Sequence, residues 1–203
     1  MEKPLTGETS ELPPIHGKQL ARTPRIGLAL GGGGARGLAH IAMLEAFDEL
    51  GIRPNVIAGT SIGALYGAAY ASGISGKDLR DHTRLILGQR FGLIRDLFNA
   101  TAQPFQRLIG VFGRRNAILD PLTMLEVILP KDVKSDFAEC QIPIKIVASD
   151  FYDQEPRVFT EGALRPAVAA SMALPVIFQP VMDKGKARID GGLTNPLPFD
   201  LLM

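Results

Sequence analysis

The run Arg25-Ile26-Gly27-Leu28-Ala29-Leu30 is short and apolar and ends in four consecutive glycines, residues 31–34. Behind them Leu38, Ile41, Ala42, Leu44, Phe47 and Leu50 keep helical spacing until Gly51, a natural helix stop. Residues 55–58 then read as a second buried strand and residues 62–70 as a second helix. This succession of strand, glycine turn, helix, strand, turn and helix constrains the fold strongly. A helical crossover returns the chain in its original direction, so the two strands lie parallel in one sheet. The expected fold is α/β, a three-layer sandwich with a mainly parallel central sheet.

The remaining chain extends that pattern. Residues 77–129 look mainly helical, with breaks expected near Gly88, Gly92, Pro104, Gly110 and Gly113. Residues 144–148 form a third core strand, and 157–160 a short strand after a turn at 153–156. Residues 164–172 suit an Ala-rich helix. Strands at 179–182 and 186–189 suit a hairpin around Asp183-Lys184-Gly185, followed by a tight turn at Asp190-Gly191-Gly192. The domain is placed at 24–203. Residues 1–23 hold Pro4, Pro13 and Pro14, lack apolar periodicity, and are expected to be a flexible arm without the apolar centre of a secretory signal.

Composition narrows the function classes. At 46% hydrophobic residues the chain has material for a core, and 22 basic against 21 acidic residues argue against a bulk nucleic-acid binder. Cys140 stands alone, which excludes a disulfide framework and fits a cytoplasmic, reducing location. Residues 54–76 carry no charge, a length that raises a membrane span. Five glycines and several Ser, Thr and Asn side chains in that run fit a buried strand and a small-residue helix better.

Two glycine motifs carry chemistry. Gly32, Gly34 and Gly37 satisfy G-x-G-x-x-G between a strand and a helix, as a dinucleotide site requires. That site also needs an acid at the end of the next strand, where this chain has Gly59-Thr60-Ser61. What remains is a loop whose backbone N–H groups converge at a helix N-terminus, able to hold a phosphate or an oxyanion. Gly59-Thr60-Ser61-Ile62-Gly63 matches G-x-S-x-G between strand and helix. In that context a sharp elbow lifts the Ser61 hydroxyl above the sheet, and the Ile62 N–H adds an oxyanion donor.

The base for Ser61 is the next question. His16 lies in the arm, His40 one turn inside the first helix, and His82 in a polar stretch expected to face solvent. None follows a late strand, where a serine triad places its His. Asp190 does follow one, freed sterically by Gly191 and Gly192. With a reference pKa of about 3.9, an Asp needs burial or close contact with the hydroxyl to act as base.

Together GGGGARG at 31–37, GTSIG at 59–63 and DGG at 190–192 resemble the patatin-like phospholipase family over residues 25–198. GLAHI around His40 and SMALPVIFQP at 171–180 extend the resemblance, and the bacterial branch similar to the esterase domain of neuropathy target esterase is nearest. The resemblance implies a lipid acyl hydrolase of phospholipase A or lysophospholipase type acting on phospholipid, lysophospholipid or another acyl ester. Ser61 would be the nucleophile, Asp190 the general base, and the amides of Gly32, Gly33 and Gly34 the oxyanion donors. No metal or organic cofactor is implied. Arg36 would either orient a lipid phosphate or face solvent. Family members continue past the Asp-Gly-Gly turn, so C-terminal elements of the fold are expected to be missing. A catalytically impaired lipid- or acyl-binding module stays open, as, more distantly, does a nucleotide-binding oxidoreductase.

Residues 84–115 hold Arg84, Arg90, Arg95, Arg107, Arg114 and Arg115 against Asp96 alone. Phe91, Phe98, Phe105 and Phe112 recur there at every seventh position. Two readings stand: peripheral contact with an anionic membrane, or a helical lid packed on the core.

Overall fold

The computed structural model describes residues 25–100 and 119–203, and side chains within them except at 89–100. The arm at 1–23 and nearly all of the basic segment at 84–115 therefore lie outside the described side chains. In chain order the elements are β1 (Gly27–Leu30), α1 (Ala39–Glu49), β2 (Val56–Thr60), α2 (Ile62–Ala71), α3 (Gly76–Ala100), α4 (Pro121–Ile128), β3 (Ile144–Asp150), β4 (Pro156–Phe159), α5 (Leu164–Met172), β5 (Val181–Asp183) and β6 (Lys186–Asp190).

Local chemistry sets several boundaries. Gly51, at φ +64°, takes the left-handed conformation just past the end of α1. Asp120 caps α4, its carboxylate accepting from the N–H groups of Leu122 and Thr123 at 3.2 and 3.1 Å, with Pro121 in the first helical position. The β5–β6 loop is one residue shorter than expected: Asp183 pairs with Lys186, leaving Lys184 and Gly185 at φ 49° and 78° as a two-residue turn of type I′. Gly88 and Gly92 do not break α3, which runs through both. A glycine inside a helix costs only about 1 kcal/mol relative to Ala, which a long helix absorbs. The uncharged run resolves into β2 and the ten-residue α2, buried along its whole length. Among the described residues no helix is long and apolar enough to cross a membrane.

The sheet is mixed: β1, at one end, β2 and β3 run parallel, and β4, β5 and β6 run antiparallel to their neighbours. Leu30, Ile57 and Ile144 face α2 at Gly67, where an added Cβ would lie only 3.2–3.4 Å from all three side chains. These three are 0–4% exposed, and full burial of such side chains contributes about 1.5–3 kcal/mol each. The opposite face is closed by the C-terminal segment. Leu202 packs on Gly27, Thr60 Oγ1 donates to Asn195 O at 2.9 Å, and Lys145 Nζ donates to Leu201 O at 2.8 Å.

The register of β3 positions the site. β2 pairs with residues 144–147 of β3 and β6 with residues 148–150, while β4 spans 146–149. Both β2 and β6 overlap β4 along β3, so both occupy the edge opposite β4. They run toward each other and meet where Val147 hands over to Ala148. The C-terminal end of β2, next to Ser61, thus abuts the C-terminal end of β6, which is Asp190.

Candidate active site

Ser61 stands between β2 and α2 at φ 55°, ψ −123°, a conformation that is costly for a residue with a side chain. Two glycines make the elbow sterically possible. A Cβ on Gly59 would lie 2.7 Å from Gly63 O, and one on Gly63 would lie 2.0 Å from Leu30 O. Ser61 Oγ donates to Asp190 Oδ2 at 2.6 Å.

Asp190 is 6% exposed. Its Oδ1 accepts from the Gly192 N–H at 2.7 Å, and its backbone is held by Ala173 O and by the Ser149 hydroxyl. Burial pushes the Asp190 carboxyl above the ordinary carboxylate range, opposed by the hydrogen bonds from Ser61 and Gly192. Gly191 allows this turn to close, because a Cβ there would sit 2.1 Å from Val147 O.

The glycine loop approaches Ser61 from the end of β1. Gly33 and Gly34, at φ 139° and 57°, enter a 3-10 turn over Gly34–Leu38. Gly37 lets that turn rest on α2, since a Cβ would meet Ile62 Cγ2 at 2.2 Å. The Gly32 N–H donates to Pro196 O at 2.9 Å, so its amide holds the C-terminal segment and leaves the expected trio of oxyanion donors. The N–H groups of Gly33, Gly34 and Ile62 have no hydrogen-bond partner among the described residues. All three residues line the same cavity as Ser61 and Asp190.

That cavity has a volume of about 530 Å³. Its walls are mostly apolar, with Leu65, Leu79, Ile86, Leu87, Met124 and Phe178 among them. A hydroxyl beside a buried carboxylate, amides that line the same cavity unpaired among the described residues, and an apolar chamber are parts suited to attack on a carbonyl that carries a hydrocarbon chain. Arg36 is exposed and is the only Lys or Arg among the described lining residues.

The histidines take other roles. His40 Nε2 bonds Gly31 O at 2.9 Å, fastening α1 to the start of the glycine loop. His82 is not the solvated residue expected: half-buried in the cavity wall, its Nε2 meets Ile128 O at 3.0 Å. Ile128 ends α4, and its carbonyl lies in the last turn, where helix carbonyls lack intrahelical donors. Sequence reasoning missed the placing of Ser171, fully buried on α5, whose hydroxyl accepts the Ser61 N–H at 2.8 Å. Its only signal was membership of the SMALPVIFQP stretch.

Comparison with known proteins agrees with the fold. An NTE family protein of Mycobacterium tuberculosis is 35% identical over 177 residues, covering 87% of this chain and 45% of that protein. Patatin-like phospholipase domain-containing protein 7 of Rattus norvegicus is 32% identical over 178 residues, 87% of this chain and 12% of its own length. The chain therefore spans less than half the length of these curated relatives. The crystal structure of VipD from Legionella pneumophila aligns with a TM-score of 0.52 at 19% identity, over 86% of this chain and 47% of that one, a likeness of fold. The sequence model of the family described as "Patatin-like phospholipase" matches residues 28–203, nearly the whole described domain. The chain belongs to the patatin-like phospholipase family.

Proposed function

We propose that this domain hydrolyses carboxylic esters of lipids, phospholipid or lysophospholipid among them, through an acyl-enzyme on Ser61 with Asp190 as general base. The observation that carries the reading is the 2.6 Å contact of Ser61 Oγ with Asp190 Oδ2 inside an apolar cavity. As Ser61 Oγ bonds to the ester carbonyl carbon, its proton passes to Asp190 Oδ2. The carbonyl oxygen takes up negative charge facing the N–H groups of Gly33, Gly34 and Ile62. Collapse of the intermediate breaks the ester C–O bond, and the leaving alcohol takes the proton from Asp190. Water then gives a proton to Asp190 and attacks the acyl carbon. The fatty acid leaves as the proton returns to Ser61 Oγ.

Burial supports the role of Asp190. A carboxyl held above its usual range accepts a serine proton more readily than a solvated one does. A lipid-binding module without catalysis would share the cavity but has no need of the Ser61–Asp190 contact. Contact with an anionic membrane through 84–115 rests on its arginines and phenylalanines. Liposome flotation with Glu at Arg90, Arg95 and Arg107 tests it, and unchanged binding rejects that surface.

A fluorophosphonate probe and p-nitrophenyl butyrate test the enzyme reading. The folded protein labels at Ser61 and releases p-nitrophenol, and Ser61→Ala does neither. Folded protein that neither labels nor turns over, yet retains lipid, identifies the binding module instead.

A further inference from the structure

The β2–β3 ladder stops one rung early, and a side chain fills the gap. In a parallel pair, alternate residues of one strand donate to alternate carbonyls of the next. Here the Ile57 N–H donates to Pro143 O at 2.9 Å, and the register continues to Thr60 opposite Val147. The same alternation brings the Gly59 N–H to Lys145 O and the Ser61 N–H to Val147 O. That last bond is not made. The Ser61 N–H donates instead to Ser171 Oγ at 2.8 Å, and Ser171 Oγ donates to Val147 O at 2.5 Å. One fully buried hydroxyl on α5 is inserted into the final rung.

We infer that Ser171 is the positioning residue of this site: by intercepting the rung it holds the Ser61 backbone off β3 and aims its hydroxyl at Asp190. Val147 is where β2 yields the edge of β3 to β6. A direct bond from Ser61 to Val147 O would draw the elbow into the sheet, toward the space taken by the Gly191 turn. Gly191 already lies so close that a Cβ would sit 2.1 Å from Val147 O. The inserted hydroxyl lengthens the rung by one oxygen and satisfies both buried backbone groups. It also removes the Ser61 N–H from the possible oxyanion donors. The catalytic part of the inference rests on the function proposed above; the geometric part does not.

Ser171→Ala is compared with Ser72→Ala. Ser72 is a similarly buried hydroxyl with two bonds, to Ala68 O and from the Lys134 N–H, that belongs to no part of the site. Each variant loses one two-bonded buried hydroxyl. Ser171→Ala is expected to lose about a hundredfold in kcat, the scale of a displacement near 1 Å, with KM close to wild type. Ser72→Ala keeps wild-type kcat. Ser171→Cys, similar in size but weak as donor and acceptor, falls between.

A crystal structure of Ser171→Ala is expected to show the Ser61 N–H bonded to Val147 O and Ser61 Oγ out of hydrogen-bond range of Asp190. Retention of the Ser61–Asp190 contact overturns the inference. So does wild-type kcat in folded Ser171→Ala or Ser171→Cys, or an equal loss in Ser72→Ala. If the wild-type chain hydrolyses no ester while the rung closes as described, the proposed function fails and the positioning geometry stands.

Discussion

Asp190→Asn separates chemistry from architecture at a single position. Asp190 uses each carboxylate oxygen differently: Oδ1 accepts from the Gly192 N–H at 2.7 Å, Oδ2 from the Ser61 hydroxyl at 2.6 Å. An amide has one acceptor and one donor end. The Gly192 N–H faces its position from a rigid turn, so the Asn oxygen takes that side and the NH₂ faces Ser61. Ser61 Oγ can then accept a hydrogen bond but has no base to receive its proton. General-base catalysis is worth about 10²–10⁴-fold, or roughly 3–5.5 kcal/mol of barrier, and kcat/KM for p-nitrophenyl butyrate should fall within that range. Stability should move the other way. Burial raises the Asp190 pKa in the folded chain, so the ionised form is destabilising above the folded pKa. That penalty fades as pH falls from the raised folded pKa toward the ordinary carboxylate value and is absent below it. At pH 7 Asp190→Asn should melt at or above the wild-type temperature, and at acidic pH the difference should vanish. Activity within tenfold of wild type removes Asp190 from the mechanism. A variant that melts far lower at pH 7 shows that the carboxylate mainly holds the fold.

The same raised pKa sets a pH profile: because Asp190 must be ionised to accept a proton, the acidic limb of kcat/KM should lie above the ordinary carboxylate range. A limb at or below about pH 3.9 contradicts a buried base. Gly63→Ala places a Cβ 2.0 Å from Leu30 O, a clash of backbone with backbone, and should cost at least the upper part of the ~1–3 kcal/mol typical of overpacking. Gly88→Ala, in open space on α3, should instead gain about 0.5–1 kcal/mol, or roughly 1–4 °C in Tm; thermal melts of both variants check the pair. Arg36→Gln should lower kcat/KM for a lysophospholipid more than for the uncharged p-nitrophenyl butyrate, since Arg36 is the described cation at the cavity. Equal loss on both substrates removes a phosphate role.

The parts of this site visible in the sequence are those whose geometry is enforced within a few residues. Ser61 is legible because its strained φ comes with an approach of α2 to β2 that excludes a Cβ at Gly59 and to the end of β1 that excludes one at Gly63, and those exclusions are written as G-x-S-x-G. Gly191 is legible for the same reason, pressed against Val147 O. The function of each exclusion is not. Gly32 and Gly33 read alike in the sequence, yet the Gly32 N–H belongs to Pro196 O, a contact set by how the C-terminal segment crosses the second face of the sheet. His82 read as solvated because its neighbours along α3 are polar, while its partner, Ile128 O, is 46 residues away. Ser171 shows the limit most sharply. A serine within an Ala-rich helix carries no periodic or steric signature, and its partners lie 110 and 24 residues distant. Its meaning depends on where two strands exchange one edge of β3, a property of the register that no single segment encodes. Residues that bend the backbone leave a local trace, whereas residues that hold two bent segments in register leave none. For that reason Ser61 and Asp190, the proposed nucleophile and base, are legible in their own segments, and Ser171, proposed to position one against the other, is not.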